Sequence, residues 1–247
     1  MKHIFYGIAA FFLLNELSAQ DTTYYNNQHE KVQQAAQADY YVLLRMVPSK
    51  PGQVVKRSFF ADHRIRSEEF YKFQDEDRKA VIQQGTAKQW FPNGNVRSEE
   101  EYADGKLTGE FVTYWENGHK KRVDRYEDGT WKEGSCFDQT GKKITYYTYT
   151  EEPSFPGGKQ KMYEYLAKNM RYPSGSSRRG AGGKVITSFL VNEDGTLSDL
   201  KIEEGAAKDL NEEALRVIRN MPPWTPARQD GEIIAERFNL PISFMVQ

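Results

Sequence analysis

The sequence is poor in the residues from which most catalytic and metal sites are built. Its 247 residues include one cysteine, and its four histidines are scattered. A single cysteine excludes an intramolecular disulfide, and no Cys-x-x-Cys or His-x-x-x-His pair is present to bind a metal. We therefore expect no catalytic residues, no metal site and no cofactor, and we predict that the protein is not an enzyme. Cys136 is interpreted as a small packed side chain.

An excess of charge of one sign is also lacking. The 34 Lys and Arg residues are balanced by 35 Asp and Glu residues, which gives a formal net charge of −1. Nucleic-acid-binding domains carry clustered basic residues and a high isoelectric point. We therefore expect no nucleic acid among the partners.

Long apolar runs are absent, and the longest candidate lies at the start of the chain. It covers Ile4 to Leu14, whereas a membrane-spanning helix needs about 20 apolar residues. Lys2 precedes the run, and Leu17-Ser18-Ala19 resembles a leader-peptidase site. Residues 1–19 are therefore predicted to be a cleaved signal peptide, and inner-membrane anchoring is the less favoured alternative. The polar residues 20–37 are predicted to be a flexible tether.

Two aromatic-rich segments repeat with an offset of 24 residues. Gly85–Gly94 returns as Gly109–Gly118, and Tyr102–Gly105 returns as Tyr126–Gly129. Asn-Gly and Asp-Gly pairs form tight hairpin turns, and one hairpin cannot bury its own face. Residues 38–150 are therefore predicted to form an all-β array of hairpins. The pattern resembles MORN-type repeats, in the variant of YwqK-like proteins.

Residues 151–247 combine helical and strand periodicities. Met162, Tyr165, Leu166 and Met170 form one helical stripe, and Leu210, Ala214, Val217, Ile218 and Met221 form another. Strands are predicted at Val185–Val191, Leu197–Glu203 and Glu232–Leu240, with a flexible loop over Ser174–Gly183. The predicted fold class is an α+β domain with two helices on a small antiparallel three-stranded sheet.

An ordered series of landmarks follows this pattern. It consists of Pro156-Gly157-Gly158, Tyr172-Pro173, Asp194-Gly195, Met221-Pro-Pro-Trp224-Thr-Pro226 and Phe238–Phe244. In this order they resemble the C-terminal domain of TonB-family proteins, in the form common in Bacteroidetes. The resemblance implies a periplasmic docking module whose last strand pairs with the TonB box of an outer-membrane receptor, during energy-coupled transport. Such strand addition draws its affinity from main-chain hydrogen bonds.

The resemblance also implies two partner-binding segments. The first is Asn169, Met170 and Arg171, just before Tyr172-Pro173, although Met170 facing the core and two solvated neighbours is an open alternative. The second is Ile233, Ile234, Ala235, Glu236, Arg237, Phe238 and Asn239 in the last strand. The implied partner is an outer-membrane TonB-dependent receptor or another cell-envelope protein, without a small-molecule cofactor. Homodimerisation is left open.

One departure from the family keeps a second function open. A TonB transducer has an N-terminal membrane helix and a long spacer rich in proline and lysine, where this chain has a short leader and the repeats. Our first hypothesis is a periplasmic TonB-like accessory that docks by strand addition. The alternative is a structural or scaffold protein whose repeat sheet binds protein, glycan or lipid.

Overall fold

The structure, a computed structural model, describes residues 22–27, 29–74 and 80–245. The chain divides into two compact units between Tyr146 and Tyr147, slightly before the predicted boundary at residue 151. The predicted signal peptide, residues 1–19, lies outside the described residues. Within the described ranges, no helix has the length and apolar character to cross a membrane.

The first unit, the repeat unit, is a single antiparallel sheet. Its strands are β1 (Thr23–Tyr25), β2 (Lys31–Val32), β3 (Tyr40–Met46), β4 (Gln53–Phe60), β5 (Ile65–Phe73), β6 (Val81–Trp90), β7 (Val96–Ala103), β8 (Lys106–Tyr114), β9 (Lys120–Glu127), β10 (Thr130–Phe137) and β11 (Lys143–Ile144). From β3 to β11, each strand lies beside its neighbours in sequence, and β1 and β2 follow β3 at the other end. This order is what an array of successive hairpins requires.

The described part of the predicted tether belongs to this sheet, which differs from the flexible segment expected over residues 20–37. Tyr24 lies opposite Tyr41 and Tyr25 opposite Tyr40 in an antiparallel pair. The ring of Tyr25 stacks on that of Tyr40, with 5.2 Å between centroids. The prediction of a tether rested on the many Gln and Asn residues and gave too little weight to Tyr24 and Tyr25. Their large apolar rings hold the segment against β3.

Two of the hairpins turn at the repeated Asp-Gly pairs. Asp104 and Gly105 have φ of 50° and 76°, and Asp128 and Gly129 have φ of 49° and 77°. Positive φ at both central residues defines the two-residue turn that matches the twist of the strands. The predicted hairpin array is therefore present, while the likeness to MORN repeats stays a prediction.

The repeated Asn-Gly turns are linked to one another by their asparagine side chains. The Asn93 amide donates to the carbonyl of Glu116 at 3.0 Å, and the Asn117 amide donates to the carbonyl of Gln139 at 2.9 Å. Successive turns, about one repeat apart, are thus joined by side-chain-to-backbone hydrogen bonds. Cys136 is fully buried, in agreement with its interpretation as a packed side chain.

The second unit, the C-terminal unit, combines three helices with two small sheets. Its elements are β12 (Thr150–Glu151), α1 (Gly158–Asn169), α2 (Ser174–Arg179), β13 (Gly183–Val191), β14 (Leu197–Glu204), α3 (Lys208–Arg219), β15 (Ala227–Gln229), β16 (Glu232–Ile234) and β17 (Glu236–Phe244). The larger sheet has the order β14-β13-β17, and the smaller sheet has the order β12-β15-β16. The two predicted helices and the antiparallel three-stranded sheet are confirmed.

Two details of the C-terminal prediction are wrong. The stretch expected to be a loop before β13 contains α2, which is held by a hydrogen bond from the Ser176 hydroxyl to Asp209 at 2.6 Å. The expected strand Glu232–Leu240 is split at Ala235, so that its first part joins the smaller sheet and its second part the larger. The first difference depends on a contact distant in sequence, which local propensity does not report. The second follows from a local hairpin, in which β15 and β16 are joined by a two-residue turn at Asp230-Gly231 with positive φ at both residues.

The core of this unit is built around Trp224. Its ring lies 5.4 Å from that of Phe189, 5.0 Å from Phe238 and 5.9 Å from Phe155, between centroids. Its backbone N–H donates to the carbonyl of Gly195 at 2.8 Å, which ties the β13–β14 turn to the segment after α3. Trp224 therefore anchors the segment after α3 onto the sheet.

Candidate partner-binding edge

The last strand of the larger sheet has a free side. β17 pairs with β13 along its whole length, from Glu236 opposite Val191 to Phe244 opposite Gly183. It is the outermost strand of that sheet, and no described strand pairs with its other side. An edge of this kind presents a row of N–H and C=O groups to which an extended partner can bind.

The position of this edge is fixed by the core beneath it. Leu240, Ile242 and Phe244 are buried, whereas Asn239, Pro241 and Ser243, which alternate with them, are exposed. A shift of one residue would exchange the buried and exposed sets, so the register with β13 is strongly specified. The free edge is consequently held in one place before any partner arrives.

Pro241 indicates which main-chain groups point outward. It lies opposite Ile186 within β17, and a proline, which has no N–H, is tolerated where the N–H would point away from the sheet. Because this direction alternates along an antiparallel strand, the N–H groups of Arg237 and Asn239 point outward, and that of Glu236 points to β13. Pairing with β13 continues past Pro241 to Phe244.

Arg237 and Glu236 differ in their side-chain surroundings as well. The Arg237 guanidinium crosses β13, donating to the Ser188 hydroxyl at 3.1 Å and forming an ion pair with Asp199 of β14. One carboxylate oxygen of Glu236 is buried without a hydrogen-bond partner among the described residues. Burial, and to a smaller extent the nearby Glu152, raise the pKa of Glu236 above its ordinary value.

The other residues predicted in the final strand are divided between the two sheets. Ile233 lies opposite Arg228 in the smaller sheet and is exposed, and Ile234 lies opposite Ala227. Ala235 separates β16 from β17. Of the seven residues predicted there, only the last four, Glu236 to Asn239, lie on the larger sheet.

The first predicted segment is held by two residues of α3 that sequence reasoning missed. The backbone N–H of Arg171 donates to the Glu213 carboxylate at 2.6 Å, and the carbonyl of Asn169 accepts from Arg216 at 2.7 Å. Arg216 also pairs with Glu213 at 2.7 Å. The Arg216 guanidinium, and to a smaller extent the Arg171 N–H, lower the pKa of Glu213. Met170 packs against the core, and contact of this segment with a partner stays a prediction.

The two predicted segments lie toward different ends of the edge. Tyr172 follows the first segment, and its ring meets that of Phe244 edge-on, with 6.0 Å between centroids. Phe244 is the last residue of β17, while Arg237 is its second. At about 3.4 Å per residue these two lie roughly 24 Å apart. Tyr172, the residue that follows the first segment, therefore contacts the opposite end of β17 from Arg237.

Residues 168–246 are similar to a known protein family. Residues 168–246 match the family described as "Gram-negative bacterial TonB protein C-terminal". This region belongs to the TonB C-terminal family. The predicted resemblance is thereby confirmed for the TonB-like region, which includes both predicted segments, whereas the Bacteroidetes type stays a prediction. Within the described ranges, no group of three or more His, Cys, Asp or Glu residues is placed to hold a metal ion.

Two TonB proteins and a TonB domain structure each match a limited share of this chain. Two proteins named Protein TonB, from two strains of Helicobacter pylori, are 31% and 34% identical over 71 and 61 residues. These matches span 28% and 24% of this chain and 25% and 22% of the relatives, about a quarter of their length. A solution structure of the Helicobacter pylori TonB C-terminal domain is 26% identical, covers 36% of this chain and 79% of that chain, and has a TM-score of 0.29.

Proposed function

We propose that this protein is a periplasmic, non-enzymatic TonB-like protein that docks by strand addition onto a partner. The partner is an extended segment of a cell-envelope protein, such as the TonB box of an outer-membrane TonB-dependent receptor, and the setting is energy-coupled transport. The observation that carries this proposal is the free outer edge of β17, held in fixed register by the core. The family match of residues 168–246 supports it.

The edge implies a short contact of modest strength. Two outward N–H groups, those of Arg237 and Asn239, precede Pro241, which offers a carbonyl but no donor. At about 0.5–1.5 kcal/mol net for each hydrogen bond, these two donors contribute on the order of 1–3 kcal/mol. The remaining affinity then depends on the partner's carbonyls and side chains, which suits a reversible docking contact.

Capture of the partner tests this proposal directly. The full chain is immobilised and exposed to a detergent extract of outer membranes, as wild type, Asn239→Pro and Asn239→Ala. Asn239 is exposed, so alanine should leave capture unchanged, whereas proline removes an outward N–H and should weaken it by up to about tenfold. A synthetic TonB-box peptide should compete for capture by the wild type. Equal capture by the proline variant would contradict docking at this edge.

Export is a separate part of the proposal. We expect cleavage of the leader near Ala19 and a mature chain that begins near Gln20 in the periplasm. N-terminal sequencing of the protein recovered from the periplasmic fraction checks this. Recovery of the uncleaved chain on membranes would contradict it and would favour the inner-membrane transducer.

The scaffold alternative predicts a different result in the same capture. If the repeat sheet is the working surface for protein, glycan or lipid, capture should be insensitive to both substitutions at Asn239 and to the box peptide. The two functions are therefore separated by competition and by the Asn239→Pro variant together.

A further inference from the structure

The outer edge of β3 in the repeat unit is only partly covered. β4 pairs with all of β3, from Tyr40 to Met46. On the other side, β1 pairs only with the first three residues, Tyr40 to Val42. Among the described residues, the stretch Leu43–Met46 therefore has a strand partner on one side only.

Two backbone hydrogen bonds indicate which groups of this stretch point outward. The N–H of Val47 donates to the carbonyl of Gln53 at 2.9 Å, and the N–H of Ala61 donates to the carbonyl of Asp39 at 3.1 Å. Both bonds join odd-numbered residues at the two ends of β3 to the β4 side. Because the bonding direction alternates in antiparallel pairs, the N–H and C=O groups of Leu44 and Met46 face outward.

A shallow groove lies on the adjoining face of the sheet. Its volume is about 180 Å³, and it is lined by Leu43, Arg45, Val55, Arg57 and Phe59. Pockets for small molecules usually measure about 300–1,000 Å³. The groove is therefore better matched to one side chain of a bound strand than to a free small molecule.

The charges beside this groove favour an acidic partner. Arg57 already pairs with Glu68 at 2.6 Å. Arg45 is exposed and forms no ion pair with any described residue. A strand added along the edge would place one of its residues directly opposite Arg45, at the short cross-strand separation where opposite charges attract. A carboxylate at that position complements the guanidinium.

We propose that the outer edge of β3 is a second strand-addition site, distinct from the β17 edge. It takes an extended protein segment that places an apolar side chain opposite Leu43 and a carboxylate opposite Arg45, two positions apart. Leu44 and Met46 supply the main-chain hydrogen bonds, and the Arg45 side chain selects the acidic residue. The two units would then each bind an extended segment, so that one chain could connect two partners.

Binding of a designed strand to the full chain tests this site. The probe is a fluorescein-labelled hexapeptide, Thr-Val-Glu-Val-Phe-Thr, and its matched control has lysine in place of glutamate. We expect the wild type to bind the glutamate probe at least tenfold more tightly than the lysine probe, by fluorescence anisotropy. Arg45→Glu should reverse this preference. Leu44→Pro removes an outward N–H and should weaken binding of the glutamate probe at least tenfold.

Further variants distinguish this site from other causes of lost binding. Circular dichroism establishes that Leu44→Pro keeps its sheet, and the charge reversal by Arg45→Glu does not depend on that variant. Asn239→Pro, which alters the β17 edge, should bind the glutamate probe like the wild type. No binding to the wild type would overturn the proposal, as would an unchanged preference in Arg45→Glu or loss of binding in Asn239→Pro.

Discussion

Proline at two adjacent positions of β17 should have different effects on stability. The N–H of Glu236 points to β13, so Glu236→Pro removes a ladder bond and leaves the Val191 carbonyl opposite it without its donor. The net contribution of one such hydrogen bond to stability is about 0.5–1.5 kcal/mol, and a buried carbonyl left without a donor costs about 1–3 kcal/mol. We therefore expect Glu236→Pro to lower the free energy of unfolding of the C-terminal unit by about 1.5–4.5 kcal/mol.

Arg237→Pro should cost less, because the N–H at that position points away from the sheet. What it loses is the side-chain contact with Ser188 and the ion pair with Asp199. The partners of this pair are 32% and 60% exposed, and such ion pairs contribute about 0.2–1 kcal/mol. The expected loss is therefore about 1 kcal/mol, and Arg237→Ala should lose a similar amount.

Hydrogen exchange of the α3 amides measures this difference in the whole chain, because those amides lie in the core of the C-terminal unit. Glu236→Ala is the matched control, since it removes the same side chain and keeps the N–H. If the two proline variants prove equally unstable relative to their alanine controls, the assignment of outward and inward groups is wrong. Docking of a partner strand at Arg237 would then lose its structural basis.

Three further predictions concern the C-terminal unit. Gly195→Ala should destabilise it by a few kcal/mol in thermal unfolding, because Gly195 has φ of 82° and an added Cβ would lie 2.2 Å from the Trp224 carbonyl oxygen. Glu213→Gln should make the free energy of unfolding depend less on pH in the acid range. The folded pKa of Glu213 is lowered below its ordinary 4.5, so its contribution is present above that pH and is lost as the pH falls through the lowered value. Urea unfolding between neutral pH and about pH 3 measures this, and an identical pH profile for both proteins would refute it. A fragment of residues 147–247 should fold by itself, because its core draws only on its own elements; the absence of a cooperative thermal transition would show otherwise.

The elements that the sequence predicts well are those whose signal is local and periodic. The stripe of Leu210, Ala214, Val217 and Ile218 has the helical spacing, and all four side chains are fully buried in α3. The Asp-Gly and Asn-Gly turns were also predictable, because few residues accept positive φ. These features were sufficient to give the hairpin array and the α+β unit.

Features that depend on contacts between distant residues were not predictable. The helix α2 has the composition of a loop and is held by Asp209 of α3. The break at Ala235, by contrast, has a local cause that the sequence analysis missed, because β15 and β16 pair across the Asp230-Gly231 turn. For the binding site, the last strand was identified by resemblance, but its outward groups required the pairing register with β13. Glu213 gave no sequence signal, because its role depends on the folded position of Arg171.

The most direct test of docking by strand addition is hydrogen exchange of individual β17 amides in the full chain, with and without a TonB-box peptide. Without peptide, the amides of Arg237 and Asn239 should exchange fast, and that of Phe238 should be protected by β13. With peptide, we predict that Arg237 and Asn239 become protected and that the exchange of Phe238 changes little. New protection confined to β14 or to the repeat unit, with Arg237 and Asn239 still exchanging fast, would contradict docking at this edge.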